Sequence, residues 1–314
     1  MSPSSLALQP GAADHDPVKS SLSILLGASV WGIAWFPYRV LAGWGLGGLR
    51  AAALVSLIAA AIAMLAFRRH LGGLRQSWLF LAIGAAAGIT NAGFVWGSVN
   101  GHVMRVLLLF YLTPVWTALF ARLWLGERLS ATGFGLVALA LGGAGLMLWS
   151  PQAGVPLPAN LAEWAGLVAG MGFAVNNVLS RHAGQRLPQV DGRVRTVAVF
   201  LGSVAVSAPC ALWLEPALAG PAAGREGAVL LLAVALAGTL VLGNAIVQYG
   251  LQRLPANRVS LLMLFEIVVA ALSSWWLAAE TLSWKEGAGG LCIVAAGALS
   301  GLVHRPRAAR GPAQ

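Results

Sequence analysis

Apolar residues in this chain fall in runs of about twenty, separated by short polar or Gly- and Pro-rich segments. A helix of that length crosses about 30 Å of hydrocarbon. The pattern therefore predicts an all-α membrane protein with ten transmembrane helices. They lie over residues 22–42, 48–67, 77–98, 103–121, 131–149, 162–181, 195–214, 227–250, 257–278 and 287–303. The sharpest breaks are 150–158 and 215–224, where Pro and Gly cluster. Ahead of the first run, residues 1–20 hold Asp14, Asp16 and Lys19 without a cleavable-signal pattern. They are expected to form a disordered cytoplasmic tail, with 304–314 as a second, basic cytoplasmic tail.

Composition agrees with this reading and removes the alternatives. Of 314 residues, 58% are hydrophobic and 10% charged, with a mean hydropathy of +0.78. A soluble domain carries about 25% charged residues, so a soluble enzyme, a disordered chain and a secreted disulfide domain are excluded. Cys210 and Cys292 sit alone in apolar runs and read as small core hydrophobes, not metal ligands. The three aspartates lie outside the runs, HExxH and GxxxxGK[ST] are absent, and no Ser–His pair falls at membrane depth. No catalytic residue, metal or cofactor is expected.

The net charge of +10 is a topology signal and does not indicate nucleic acid. With the N-terminus inside, only Arg39, Arg50, Arg105, Arg225 and Lys285 of the twenty Lys and Arg residues face outward. Both termini are then cytoplasmic. The Ala-, Gly- and Arg-heavy composition points to a bacterial inner membrane.

The chain also repeats itself. A shift of 153 residues places Asn91-Ala92 on Asn244-Ala245, Gly97 on Gly250 and Arg105-Val106 on Arg258-Val259. In the same register Glu127 lands on Glu280 and Leu129-Ser130 on Leu282-Ser283. Shared Ala and Leu mean little, but shared Asn, Arg, Glu and Ser in one register do. The first two spans match weakly, with Trp31-Gly32 against Met171-Gly172 at a different shift. Five spans per copy (21–150 and 151–303) is an odd number, so the second copy enters inverted. Inverted repeats characterise many secondary transporters, whose solute site lies near the midplane between the halves.

The segment LFYLTPVWTALFARLWLGERLS (109–130), its copy LMLFEIVVAALSSWWLAAETLS (262–283) and WGIAWFPYRVL in the first span resemble the drug/metabolite transporter superfamily, in its EamA-type ten-span members. The resemblance covers about residues 21–303. It implies two five-helix bundles around a central cavity, alternating access without ATP hydrolysis, and transport of small organic metabolites such as amino acids, expected to be outward. Family members commonly have Glu-Pro in the ninth span. Here Glu266 is followed by Ile267, whereas Pro114 keeps the kink in the other copy, where Thr113 matches Glu266.

Glu266 is the residue of first interest. A carboxylate at membrane depth must face water, pair with a cation or carry a proton. It is read as a coupling or amine-binding group, with protons as the coupling ion, or as a structural hydrogen-bonding group. Exchange or facilitated diffusion without proton coupling, and a non-transporting structural membrane protein, are the alternative readings. Asn91, Asn244 and, one turn on, Gln248 are candidate solute amides or helix ties. Of Asn176-Asn177 at most one reaches a cavity; Asn177 is the candidate. Trp31, Trp35 and Tyr111 are candidate aromatic walls, and Thr113 is the first-copy counterpart of Glu266. Glycines in the fifth and tenth spans suit close packing, within the bundle or between protomers of a homodimer. The partners expected are a small-molecule solute and the lipid bilayer.

Overall fold

The computed structural model describes residues 17–125, 131–149, 157–215, 220–251, 262–263 and 265–303. Among the described residues the chain is helical, without strands. The first half contains α1 (Pro17–Ile33), α2 (Trp35–Gly43), α3 (Gly48–Ala66), a 3₁₀ segment (Arg68–Gln76), α4 (Leu79–Asn100), α5 (Val103–Phe110), α6 (Thr113–Leu125) and α7 (Ala131–Leu148). The second contains α8 (Leu161–Arg186), α9 (Arg193–Leu214), α10 (Glu226–Leu251), α11 (Phe265–Ala278) and α12 (Trp284–Val303).

Helix lies over all ten expected runs where they are described, and among the described residues seven helical segments are long and apolar enough to cross a bilayer. Glu163, Asn176 and Asn177 dilute the apolar run of α8. The span expected at 257–278 is described as a continuous helix only from Phe265, which leaves 14 residues.

Two of the expected spans are broken, and the same chemistry breaks both. Proline has no N–H, and its ring collides with the carbonyl four residues back. Four residues before Pro37 is Ile33, where α1 ends; four before Pro114 is Phe110, where α5 ends. The Thr113 hydroxyl donates to the freed Phe110 carbonyl at 2.6 Å. Pro209 does not interrupt α9.

The larger contacts between the halves come in pairs. Helix α4 packs on α8 as α10 packs on α1; α4 packs on α9 as α10 packs on α3; α5 packs on α8 as α11 packs on α1. The remaining large ones, α3 on α9 and α7 on α12, join second to second and fifth to fifth. Such reciprocity is what a twofold relation between two like bundles produces. Glycine makes the closest crossings possible: a Cβ on Gly202 would collide with the backbone of Gly84, and Gly143 and Gly289 stand in the same relation. Gly135, Gly142 and Gly287 have nothing within 4 Å where a Cβ would lie and face outward.

Charge is segregated along the bundle. Helix α4 begins beside the Arg68–Gln76 segment and ends at Gly101, about 33 Å away by helical rise. At its start His70 meets Asp191 at 3.4 Å and Arg193 lies over Phe67. At its end Arg39, Arg105, Glu163, Glu280 and Glu286 gather.

Candidate functional site

Between these ends the breaks in α1–α2 and α5–α6 face α11. Gly32 sits where a Cβ would lie 2.7 Å from the Glu266 carbonyl oxygen, so α1 touches the α11 backbone. Gly170 stands likewise against Phe110, at 2.5 Å, which brings α8 onto the α5–α6 break. Glu266 and Tyr111 therefore meet near the middle of the bundle, and the Tyr111 hydroxyl lies beside the Glu266 carboxylate. That hydroxyl is buried and, among the described residues, makes no hydrogen bond of ordinary geometry. The Glu266 side chain is half-buried.

Aromatic rings continue the site. Phe110 lies 5.6 Å from Tyr111, 5.9 Å from Phe94 and 5.3 Å from Phe173, between ring centroids. Asn177, one helical turn beyond Phe173, is exposed, while Asn176 is half-buried and accepts from the Ser180 hydroxyl. Thr113 is committed to backbone at the break, donating also to the Gly170 carbonyl at 3.4 Å.

Trp35, Trp31 and Asn91 are engaged in packing or hydrogen bonds elsewhere. Trp35 is fully buried, its indole N–H donating to Ser273 Oγ at 3.1 Å. It packs with Val103, Leu107 and Ala270. Trp31 packs against the cluster built by α3, α9 and α10. The Asn91 amide donates to Ser56 Oγ at 3.1 Å, tying α4 to α3. Asn244 is half-buried on α10, and the Gln248 side chain lies outside the described residues, as do Glu127 and Arg258.

A second group of polar residues, at the Arg39 end, follows from helix capping. Asn160 and Glu163 form a reciprocal cap on α8: Asn160 Oδ1 accepts from the Glu163 N–H at 3.0 Å, and Glu163 accepts from the Ala159 N–H at 2.8 Å. Ser283 and Glu286 repeat the device on α12. Both glutamates also face Arg105, at 2.8 Å and 3.2 Å. Glu280 caps α5 from the other half, accepting from the Val103 and Met104 N–H groups, and pairs with Arg39 at 3.1 Å. Glu215 caps α3 in the same manner through Leu49 and Arg50. The signals for Glu163 and Glu286 are the N-x-x-E and S-x-x-E spacings.

Comparison with known families settles the class. The model of the EamA-like transporter family matches twice, over residues 18–149 and 160–302. The chain belongs to the EamA-like transporter family. It is a multi-pass membrane protein of a transporter family. One solved crystal structure is similar over 91% of this chain and 99% of its own, with TM-score 0.56 and 21% identity, a likeness of fold alone. No curated protein matches the chain by sequence.

Proposed function

We propose that this EamA-like protein is a secondary transporter of ten spans in two inverted halves, moving small organic metabolites such as amino acids outward across the inner membrane. The halves rock about a central site, and both termini face the cytoplasm. The odd number of spans expected in each half supports the inversion, and the paired contacts between the halves fit a twofold axis lying in the membrane plane. The basic clusters at the Arg68–Gln76 end support the orientation.

One observation carries the site. Glu266, deep in the bundle, keeps partial exposure beside a buried Tyr111 hydroxyl that makes no hydrogen bond of ordinary geometry among the described residues. A buried polar atom left unpaired usually waits for a water or a ligand. In this reading Glu266 holds the amine of the solute, or a proton in its absence. Tyr111, Phe110, Phe94 and Phe173 accommodate its apolar body, and Asn177 supplies an amide. Asn91, Trp31, Trp35 and Thr113 hold the surrounding helices in register, and Asn244 and Gln248 remain candidate solute amides.

A thermal-shift screen of the purified protein against amino acids, nucleosides and amines tests this, because a ligand that binds the folded state raises its apparent stability. The expected hit carries an amine, and Glu266→Gln abolishes its shift. A hit whose shift survives Glu266→Gln would make the carboxylate structural.

A further inference from the structure

The five charged residues at the Arg39 end do more than cap helices, because every pair they form crosses between the halves. Arg39 stands on α2 of the first half, and Glu280 follows α11 of the second. Arg39 also donates to the Ser98 and Gly101 carbonyls and lies 5.1 Å from the centroid of the Trp35 ring. Glu280 in turn holds the first turn of α5. Arg105 on α5 reaches Glu163 on α8 and Glu286 on α12, joining a first-half helix to two second-half helices.

Under the Arg39–Glu280 pair lies an apolar layer of Trp35, Val103, Leu107 and Ala270. Trp35 is itself tied across the halves to Ser273. A charged layer lies on an apolar layer at this end, both spanning the division between halves. Single surface ion pairs contribute little, but Glu163 and Glu280 are largely buried and each also satisfies backbone N–H groups. Parting the halves would strip them of partners together.

We propose that Arg39–Glu280 and Arg105–Glu163/Glu286 form a two-part latch that holds one mouth of the central site shut and must part each time solute exchanges with that side. The proposal rests on the transporter reading. It predicts that weakening the latch changes which side of the membrane reaches the site, without removing the site.

The test is labelling of a Thr113→Cys reporter, with Cys210 and Cys292 replaced by Ala, by a membrane-impermeant maleimide applied to intact cells and to inside-out vesicles. With the latch intact, labelling from the Arg39 side is the slower. In Arg39→Gln, and in Glu280→Gln, that rate rises at least about fivefold, the lower end of ordinary coupling between sites. The double variant adds little to either single one. Glu280→Gln also loosens the cap on α5, so Arg105→Gln provides a second route that leaves that cap intact and gives the same direction of change. Unchanged labelling from the Arg39 side in variants that purify as folded protein overturns the latch. Uptake of a radiolabelled amino-acid mixture by proteoliposomes of the unsubstituted protein separates the two claims. Uptake with unchanged sidedness defeats the latch alone, whereas absence of uptake defeats the transporter reading beneath it.

Discussion

Tyr111 and Trp35 use their polar atoms in opposite ways. Both are large aromatics next to α11, but the Trp35 indole is spent on Ser273 whereas the Tyr111 hydroxyl has no such tie among the described residues. Hydrogen bonds between membrane helices average about 0.6 kcal/mol and reach about 1.7 kcal/mol. Trp35→Phe is expected to lower stability within that range, read as a lower melting temperature in detergent, while a ligand still produces its thermal shift. Tyr111→Phe is expected to change stability by less than about 0.5 kcal/mol and to shrink the ligand-induced shift. A stability loss in Tyr111→Phe comparable to that in Trp35→Phe would place the hydroxyl among the structural ties. Glu163 marks the other extreme. Glu163→Gln weakens the α8 cap and leaves Arg105 to Glu286 alone, and with the cost of breaking a buried ion pair reaching about 3–5 kcal/mol as an upper bound, it should destabilise more than either aromatic change.

At the scale of elements, proline decides where the two interrupted spans end. Pro114→Ala restores an N–H that can reach the Phe110 carbonyl and allows α5 and α6 to join. The expected outcome is equal or greater stability with a weaker ligand-induced shift, since Tyr111 would turn with the straightened helix. A stronger shift would contradict a site built on the break. Glycine decides how closely helices cross. Gly202→Val should cost about 1–3 kcal/mol by overpacking against α4, whereas Gly142→Ala should be neutral within about 0.5 kcal/mol, both read by thermal denaturation.

These elements also show what was legible in the sequence. The apolar runs give the helices, and Pro37 and Pro114 mark the breaks, because both effects are local. Trp31 and Trp35 share a face only on an unbroken helix. The interruption at Ala34 sends Trp31 to the α3–α9–α10 cluster and Trp35 to α11. Capping spacings at 160–163 and 283–286 are readable too, but their meeting at Arg105 is not, because only packing between the halves brings these three residues together. The aromatic group around Phe110 was half visible: Phe110 lies on the register of Thr113, while Phe94 and Phe173 come from α4 and α8 with no sequence link to it.

Across the whole molecule, two like bundles meet reciprocally, the third span of each packing on the first two of the other, with unlike residues at the matched positions Thr113 and Glu266. Thr113 and Glu266 occupy matched positions, one bonded to backbone and the other half-buried beside Tyr111. In the proposed reading that asymmetry lets a symmetric scaffold hold a solute with one charged end, with Glu266 as the group that couples transport to proton movement. The most direct measurement is uptake of a radiolabelled amino-acid mixture by proteoliposomes, with and without an imposed pH gradient, for the unsubstituted protein and Glu266→Gln. The account predicts uptake that the gradient accelerates in the unsubstituted protein and that loses this acceleration in Glu266→Gln. Acceleration by the gradient that is equal in both proteins would contradict it.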